Sequence, residues 1–485
     1  MMDPQATPES CNVLLIGGGG REHALAWRMS KSPRLGTLYA TDTQNPGIAD
    51  LAQHCDEPWV PSRAFFLRRW CDQHDIHLVV VGPETPLAEG IADELALDGR
   101  QVFGPTRAGA QLEADKSFAK SLMKQASIPT AESRSFDDAN AARRYLLRGL
   151  DEELRKEGEM AVADEVDTFL SDTGAVREDK FMPSENLGMF LQNRLDPCVV
   201  KACGLAAGKG VIVCRTTAEA MDAVDHLMDD RAFGDAGGKI LIEEFLDGQE
   251  VSLLALVDGS TIWILDPCQD HKQVGEGDTG ANTGGMGAYC PTPVIDAAAL
   301  SRIEQEILVP TIDALRREGI EYRGVLYAGL MLTAAGPKVL EFNCRFGDPE
   351  CQPLMARFDG DLVDVLWRTA VGNLSEAEID FDDDTAVCVV MCSEGYPGGY
   401  EKGKPITGIE DAEALGDVVV FQAGTQREGD RLVTSGGRVL GVTACAADLG
   451  AARDRANEAC GRIIFDGAFW RSDIGDRVLV KTGDA

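Results

Sequence analysis

The run Leu340-Glu341-Phe342-Asn343-Cys344-Arg345-Phe346-Gly347-Asp348-Pro349-Glu350 concentrates reactive side chains. Alternate residues of a strand share a face, so a strand here sets Glu341, Asn343 and Arg345 side by side. A carboxylate and an amide oxygen together suit Mg2+, a hard octahedral ion usually shared with nucleotide phosphates. Arg345 can clamp a carboxylate or phosphate with its planar fork. The competing reading is a packed core strand, but such a strand rarely gathers Glu, Asn and Arg on one side.

Three other segments have the chemistry of phosphate and nucleotide binding. Residues 201–210 read Lys-Ala-Cys-Gly-Leu-Ala-Ala-Gly-Lys-Gly. This is not a Walker A loop, because Gly204 and Gly208 are too close and Gly210 replaces the hydroxyl residue after Lys209. Lying between two predicted strands, it is either a hairpin loop that closes Lys201 and Lys209 over phosphates or a plain exposed turn. In Glu243-Glu244-Phe245-Leu246-Asp247-Gly248 a strand ends and exposes backbone groups that can pair with an adenine edge, with Glu250 reaching a ribose hydroxyl. A solvated acidic turn is the other reading. In Gly17–Arg21 the glycines let backbone N–H groups approach a phosphate at a helix N-terminus. Glu22 stands where a dinucleotide fingerprint needs its third glycine, although Asp42 ends the next strand where a ribose-binding acid would sit. Phosphate binding, a nicotinamide cofactor and a tight structural turn all stay open from these residues.

The elements that position these groups follow from periodicity. Cys11–Ile16 is a short apolar strand, the glycines follow, and Arg21–Trp27 has helical character. Further strands at 38–41, 77–81 and 101–103 predict a doubly wound parallel sheet over 11–108 with helices on both faces. Helices follow at 116–125, ended by Ile128-Pro129, and at 136–148. Then come strands at 198–201, 211–213 and 239–243, a helix at 218–229, and a hairpin of 251–257 with 261–265 around Asp258-Gly259. A Gly-rich loop at 274–288, a long helix at 297–318 and strands at 325–332 and 338–342 come next. The last hundred residues alternate short strands with Gly turns and close with a helix near 448–463. Residues 151–196 stand apart, with 13 acidic and 5 basic residues and little periodicity. They read as a peripheral surface insertion, partly helical at most.

Hydrophobic residues make up 44% and charged residues 26%, the balance of a globular protein. The formal charge of −34 repels nucleic acid and anionic membranes, so neither is expected as a partner. No apolar run is long enough to span a bilayer, and Met1-Met2-Asp3-Pro4 lacks the basic and apolar parts of a signal peptide, so a cytoplasmic location is expected. With 14 Cys, no Cys-x-x-Cys pair and only 6 His, reduced packing cysteines are expected rather than zinc or disulfides.

Taken together, the motifs resemble one family. Gly19-Gly20-Arg21-Glu22-His23-Ala24, Val81-Gly82-Pro83-Glu84, residues 204–210 and 243–248, Gln269-Asp270-His271-Lys272, residues 282–289, 341–350 and Thr434–Leu440 are similar, in order, to the phosphoribosylamine–glycine ligase (glycinamide ribonucleotide synthetase) family of ATP-grasp enzymes. The resemblance implies an α/β and α+β multidomain fold. Its parts would be an N-terminal parallel-sheet domain (11–110), an ATP-grasp domain (111–375, lid about 126–245, insertion 151–196) and a small β-rich C-terminal domain (383–485). It implies ATP-dependent joining of glycine to 5-phosphoribosylamine through glycyl phosphate, with Mg2+ (or Mn2+), small-molecule partners, and a monomer or weak homo-oligomer. Residue by residue it implies Glu341 and Asn343 as metal ligands. ATP would be held by Lys116, Lys201, Gly204, Gly208, Lys209, Gly210, Glu243, Glu244, Phe245, Leu246 and Glu250. Gly19, Gly20, Arg21, Asp270, Asn282, Gly284, Gly285, Gly287 and Arg345 would bind substrate, and Arg345, Asp348 and His271 would be catalytic. Gln273, Cys203 and the loop 43–47 depart from the family pattern. The alternatives are another ATP-grasp ligase, such as a biotin carboxylase-like or dipeptide ligase, a nicotinamide-dependent oxidoreductase, and an inactive nucleotide-binding regulator.

Only 14 of the basic residues are Lys, against 32 Arg, and a Lys-poor acidic surface is expected of a protein adapted to high salt. In dilute buffer the Debye length reaches about 30 Å, so the carboxylates repel one another across the molecule. The melting temperature should therefore climb with KCl from dilute buffer to the molar range. A melting temperature indifferent to salt in a thermal scan would remove the high-salt reading.

Overall fold

The computed structural model describes residues 6–96, 100–171, 181–205, 210–232 and 234–482. They divide into two compact units. One comprises Met1–Glu113, Leu122–Pro129 and Gly248–Ala485, the other Ala114–Ser121 and Thr130–Asp247.

The larger unit begins with a parallel sheet of Cys11–Ile16, Leu35–Ala40, Gln53–His54, Leu78–Val81 and Gln101–Phe103, with the first strand central between the second and fourth. All four residues of Leu78–Val81 are buried, as in a strand covered on both faces. The second strand starts three residues earlier than its apolar end suggests, and the short Gln53–His54 strand has no apolar signature at all. Gly17 turns the chain into the helix Gly20–Met29 at φ +106°, and a Cβ there would meet Pro83 Cδ at 2.8 Å. A Cβ on Gly18 would collide with the Asp42 carboxylate at 2.5 Å, so Asp42 packs on the turn.

A second sheet is antiparallel and runs Ile262–Ile264, Gln249–Asp258, Arg323–Thr333, Gly336–Asn343. Its hairpin turns at Asp258-Gly259, where the Asp258 carboxylate accepts hydrogen bonds from the N–H groups of Ser260 (2.9 Å) and Thr261 (2.6 Å). A third sheet joins Gln269–Asp270 and Gly287–Cys290 to Thr385–Ser393, Arg438–Ala446 and Val418–Gln422. The helix Leu449–Arg462 buries Ala452, Ala456 and Ala459 in the core of this sheet. One buried cluster contains Leu15 and Leu25, then Leu254 and Val325, then Leu354 and Phe421. Segments expected to belong to three domains thus share one core. The region 274–288, expected to be a loop, contains the ribbon Gln273–Gly275 with Thr279–Asn282, whose glycine-rich composition hides its strands.

The smaller unit has an antiparallel sheet of Ser133–Phe136, Ile240–Glu244, Leu195–Ala202 and Val211–Thr216. Phe136, Val200, Cys214, Val224, Ile240 and Ile242 form its core. The reading of 151–196 as an aperiodic surface segment needs correction. Its described part holds three helices, Leu150–Glu157, Met160–Ser171 and Glu185–Asn193. Leu150, Leu154, Val162, Val166, Leu187 and Leu191 pack with Met221 in a core of their own. The apolar positions recur at helical spacing, but the stripe is narrow and carboxylates fill the other faces. Residues 172–180 lie outside the described residues.

This core predicts that the segment cannot be trimmed without cost. Leu154 is completely buried. Leu154→Ala should destabilise the unit by about 2–5 kcal/mol, against less than about 0.5 kcal/mol for the exposed Glu152→Ala control. Calorimetry that finds the two variants melting alike would return the segment to a loose surface loop.

Candidate active site

In the larger unit the glycine turn, the loop after Asn343 and the strand Arg438–Ala446 bring charged groups together. Glu22 organises the turn. Its Oε2 accepts from the Gly19 N–H at 2.7 Å, and its Oε1 accepts from Arg21 Nε at 2.7 Å. The residue that spoils the dinucleotide fingerprint therefore does structural work a third glycine could not do. Arg21 Nη1 donates to Phe346 O at 2.9 Å. Asp348 accepts from Gln352 Nε2 at 2.8 Å and pairs with Arg438 Nη2 at 3.2 Å. A Cβ on Gly19 or Gly20 would lie 3.7 or 3.8 Å from the Asp348 carboxylate oxygens, so the turn and Asp348 border the same space. Arg438 Nη1 also donates to Asp348 O at 2.7 Å and Gly284 O at 2.6 Å. Burial opposes ionisation of Asp348, but Arg438 and Arg21 outweigh it and hold the carboxyl below its usual range.

Arg345 is more engaged than its spacing suggests. Nη2 donates to Glu113 Oε1 at 2.8 Å and Asn343 Oδ1 at 3.1 Å, and Nε donates to Glu84 Oε2 at 3.3 Å. Burial disfavours this charge, but Glu113 and Glu84 outweigh burial and keep the guanidinium protonated. The Cys344 N–H anchors Glu113 at 2.7 Å. Glu341 and Asn343 lie on the same face of Gly336–Asn343. Among the described residues no group of three or more His, Cys, Asp or Glu can hold a metal. The donors here are two hard oxygens, which fit Mg2+ shared with phosphates better than an ion caged by protein alone.

Beside them Lys272 pairs closely with Glu250 Oε1. Burial opposes the Lys272 charge, but Glu250, Asp270 and Glu341 outweigh it and raise its pKa. Asp270 is pushed up to about 7, chiefly by burial, with Lys272 opposing and Glu350 and Glu250 adding repulsion. Glu350 is itself held by Tyr327 OH (2.6 Å) and Ser252 Oγ (3.1 Å).

The smaller unit places lysines around one buried carboxylate. Lys201 Nζ lies 2.9 Å from Glu243 Oε2, and Lys120 Nζ lies 3.1 Å from Glu243 Oε1. Val199 sits opposite Glu243 in the ladder, so Lys201, two residues on, shares that face. Lys116 Nζ donates to Gly204 O at 3.4 Å, and its backbone N–H to Cys203 O at 3.1 Å. Cys203 Sγ meets Ser117 Oγ at 3.3 Å. Gly210 O accepts from the Ala202 N–H at 2.8 Å and closes the base of the hairpin loop. Gly208 and Lys209 lie outside the described residues. Glu244 bonds Glu132 through its backbone N–H (3.0 Å) and its carboxylate (3.1 Å), Phe245 is exposed and Leu246 buried.

Two expectations fail on geometry. His271 was expected to be catalytic, but it is 1% exposed. Its Nε2 accepts from the Gly475 N–H at 3.0 Å, and Nδ1 lies 3.1 Å from Arg471 Nη2 and 3.4 Å from Asp278. A ring engaged at both nitrogens by Gly475, Arg471 and Asp278 braces this segment, and neither nitrogen is left to act as a general base. Gly287 was expected on the acceptor side, but it is buried in a strand where a Cβ would strike Cys388 O at 2.6 Å. Gly284 and Gly285 do reach the Arg438 guanidinium, while Asn282 pairs with Gln273 in the ribbon. In the unusual 43–47 loop, Asn45 donates to Gly18 O (2.9 Å) and Gln422 O (2.7 Å), which braces the turn. The sequence reading missed Glu22, Glu113, Lys120 and Arg438. Lys120 had a usable signal, one helical turn after Lys116. The others needed the fold.

Three family models match in order. They are the phosphoribosylglycinamide synthetase N domain over residues 11–113, its ATP-grasp (A) domain over 171–351 and its C domain over 386–477. The phosphoribosylamine–glycine ligase of Rhodopirellula baltica is 45% identical over 475 residues, 98% of this chain and 99% of that protein. That of Brucella melitensis is 43% identical over 469 residues, 97% of this chain and 98% of that protein. The crystal structure of phosphoribosylamine–glycine ligase from Thermotoga maritima has a TM-score of 0.71 at 28% identity, covering 96% of this chain and all of that one.

The raised Asp270 pKa sets a pH dependence. A carboxyl whose folded pKa exceeds its unfolded value of about 3.9 contributes stability below that value and loses it as pH rises through the folded pKa, here about 7. Melting temperatures of Asp270→Asn relative to the parent should therefore improve from pH 5 to pH 8. A difference that stays flat over that range would show that Asp270 ionises normally.

Proposed function

The chain belongs to the phosphoribosylglycinamide synthetase family, and from that premise we propose that it joins glycine to 5-phosphoribosylamine, with ATP cleaved to ADP and phosphate. The observation that carries the reading is the convergence of Gly19, Gly20, Arg21, Asp348, Gly284 and Arg438 in one unit, with glycine backbone facing a fixed carboxylate.

The chemistry asks for positioning and charge neutralisation. A carboxylate is a poor electrophile. Transfer of the γ-phosphoryl group to glycine's carboxylate gives glycyl phosphate and ADP. The sugar amine then attacks the acyl carbon, phosphate leaves, and the amine loses a proton as the amide forms. No protein nucleophile is needed, because phosphate is itself the activating group.

Each residue then has a task. Lys116 and Lys201 neutralise nucleotide phosphates. Glu243 holds Lys201 in place through one carboxylate oxygen and Lys120 through the other. In the family reading Gly204, Gly208, Lys209 and Gly210 belong to the segment that would close over the nucleotide and keep water from the acyl phosphate. Glu243, Glu244, Phe245 and Leu246 receive adenine, and Glu250 receives ribose. Glu341 and Asn343 would hold Mg2+, or Mn2+ in its place, which supplies charge neutralisation to the phosphates when bound. Arg345, oriented by Glu113 and Glu84, and Asp348 face glycine and the transferred phosphoryl group. Gly19, Gly20 and Arg21 with Gly284 and Gly285 hold phosphoribosylamine, with Asp270 and Asn282 behind them. Gly287 and His271 act only by shaping that segment.

The reading extends to a monomer or weak homo-oligomer in the cytoplasm. Among the described residues no helix is long and apolar enough to cross a membrane.

Two outcomes test the function. ADP release should require glycine and phosphoribosylamine together, and equal turnover with bicarbonate or D-alanine in place of glycine would end the assignment. Glu341→Gln and Asn343→Ala should each cut kcat/KM by a factor on the order of 100 or more, since a lost ligand removes several kcal/mol of transition-state stabilisation. Near-normal turnover of either variant at saturating Mg2+ would show that the ligands lie elsewhere.

A further inference from the structure

The ribbon Gln273–Gly275 with Thr279–Asn282 joins the Asp270–Lys272 and Asn282–Gly285 segments, yet it cannot hold itself in place. Two short strands alone are marginal in water, and residues 276, 277 and 279–281 are exposed. At the tip, Gly277, Asp278 and Gly280 all have positive φ, of which only Asp278 carries a side-chain penalty. The base of the ribbon is sound, since Thr283 N–H donates to Lys272 O and Met286 N–H to His271 O, both at 2.7 Å. The tip is held from outside, by residues 471–477 near the end of the chain.

Asp278 is the centre of that hold. Arg477 grips both carboxylate oxygens, Nε to Oδ2 and Nη2 to Oδ1, each at 2.6 Å. Arg471, 1% exposed, donates from Nη1 to Asp278 Oδ1 at 2.9 Å and to Gln273 O at 3.0 Å. Arg477 Nη1 reaches past the tip to Asp270 O at 3.1 Å. Asp473 accepts from the Gly277 N–H at 2.8 Å, and Ser472 Oγ donates to Glu276 at 2.6 Å. Bidentate arginine–carboxylate pairs fix orientation as well as distance. The contact at Gln273 uses its backbone carbonyl, so the side chain that departs from the family pattern plays no part in it.

The two ends of the ribbon have different neighbours. Lys272 has its own ion pair to Glu250 on the neighbouring sheet. Gly284 and Gly285 lie outside the regular strands: the Gly284 N–H donates to Tyr396 OH at 3.2 Å and its carbonyl accepts from Arg438 Nη1 at 2.6 Å, while the chain reaches them through the ribbon strand Thr279–Asn282.

We propose that Asp278, Arg471 and Arg477 form a positioning clamp, through which the C-terminal segment sets the affinity for the acceptor amine without touching it. This rests on the ligase reading above. The clamp holds Gly284 and Gly285 against Arg438 and Asp348, and its loss leaves the fold but loosens that edge.

The test uses the full chain carrying Asp278→Asn, which keeps shape and removes charge, and Arg477→Lys, which keeps charge and removes the fork. Asp278→Asn should raise the KM for phosphoribosylamine by about tenfold or more while leaving the KM for ATP within about twofold, with Arg477→Lys intermediate. Amide exchange over 273–283 should quicken in Asp278→Asn, with exchange over 385–393 unchanged. Unchanged exchange at 273–283, or a lowered melting temperature with every KM unchanged, would overturn the clamp. Failure of the parent protein to release ADP with these substrates would instead remove the ligase reading, and the exchange measurement would still decide whether the clamp holds the ribbon.

Discussion

Arg438 ties together segments that are far apart in the chain. One guanidinium bonds the carboxylate and the backbone carbonyl of Asp348 and the carbonyl of Gly284. Its charge holds Asp348 ionised against the cost of burial. Asp348 in turn borders the glycine turn at the start of the first helix. Without this half-buried pair the Asp348 carboxylate would keep only Gln352 as a hydrogen-bond donor, and the Gly284 carbonyl would lose the guanidinium that fixes it.

The same constraint recurs wherever the protein buries charge. A chain of net charge −34 has carboxylates to spare, and among the described residues each buried arginine or lysine pairs with at least one, Arg143 and Arg471 with two. Arg345 lies between Glu84 and Glu113. Glu243 reverses the pattern and lies between Lys120 and Lys201. Arg143 is gripped by Asp225 and Asp229 under the smaller sheet. Pairs of this kind add little net stability, because desolvation offsets attraction. What they provide is orientation: each guanidinium or ammonium is fixed before a substrate arrives. Asp270 shows the converse, a carboxyl with too little positive charge nearby, pushed towards neutrality by burial.

The helical segment 150–193 shows how composition can mislead. Its carboxylates dominate any charge count, yet Leu150, Leu154, Val162 and Val166 keep a helical stripe that finds Met221. Met221 belongs to the helix Thr217–Val224, which also contributes to the core of the smaller sheet. The segment is thus bound into the unit that carries Lys201. The ribbon at 273–282 makes the matching point for glycine, which reads as a loop even where hydrogen bonding makes strands.

Local sequence was enough for the parallel N-terminal strands, the hairpin at Asp258-Gly259, the helix at 116–125 and the placement of Glu341 and Asn343 on one strand face. These follow from periodicities of two and 3.6 residues and from turn chemistry, which act over a few residues. Ordered motifs were enough to point to the family. Tertiary structure alone decided which charges meet. Nothing near Arg438 announces Asp348, nothing near Arg345 announces Glu113, and His271, a plausible general base in one dimension, is enclosed by Arg471, Asp278 and Gly475. The physical reason is that burial and Coulomb attraction depend on distance in space, and these partners are brought together only when the sheets pack.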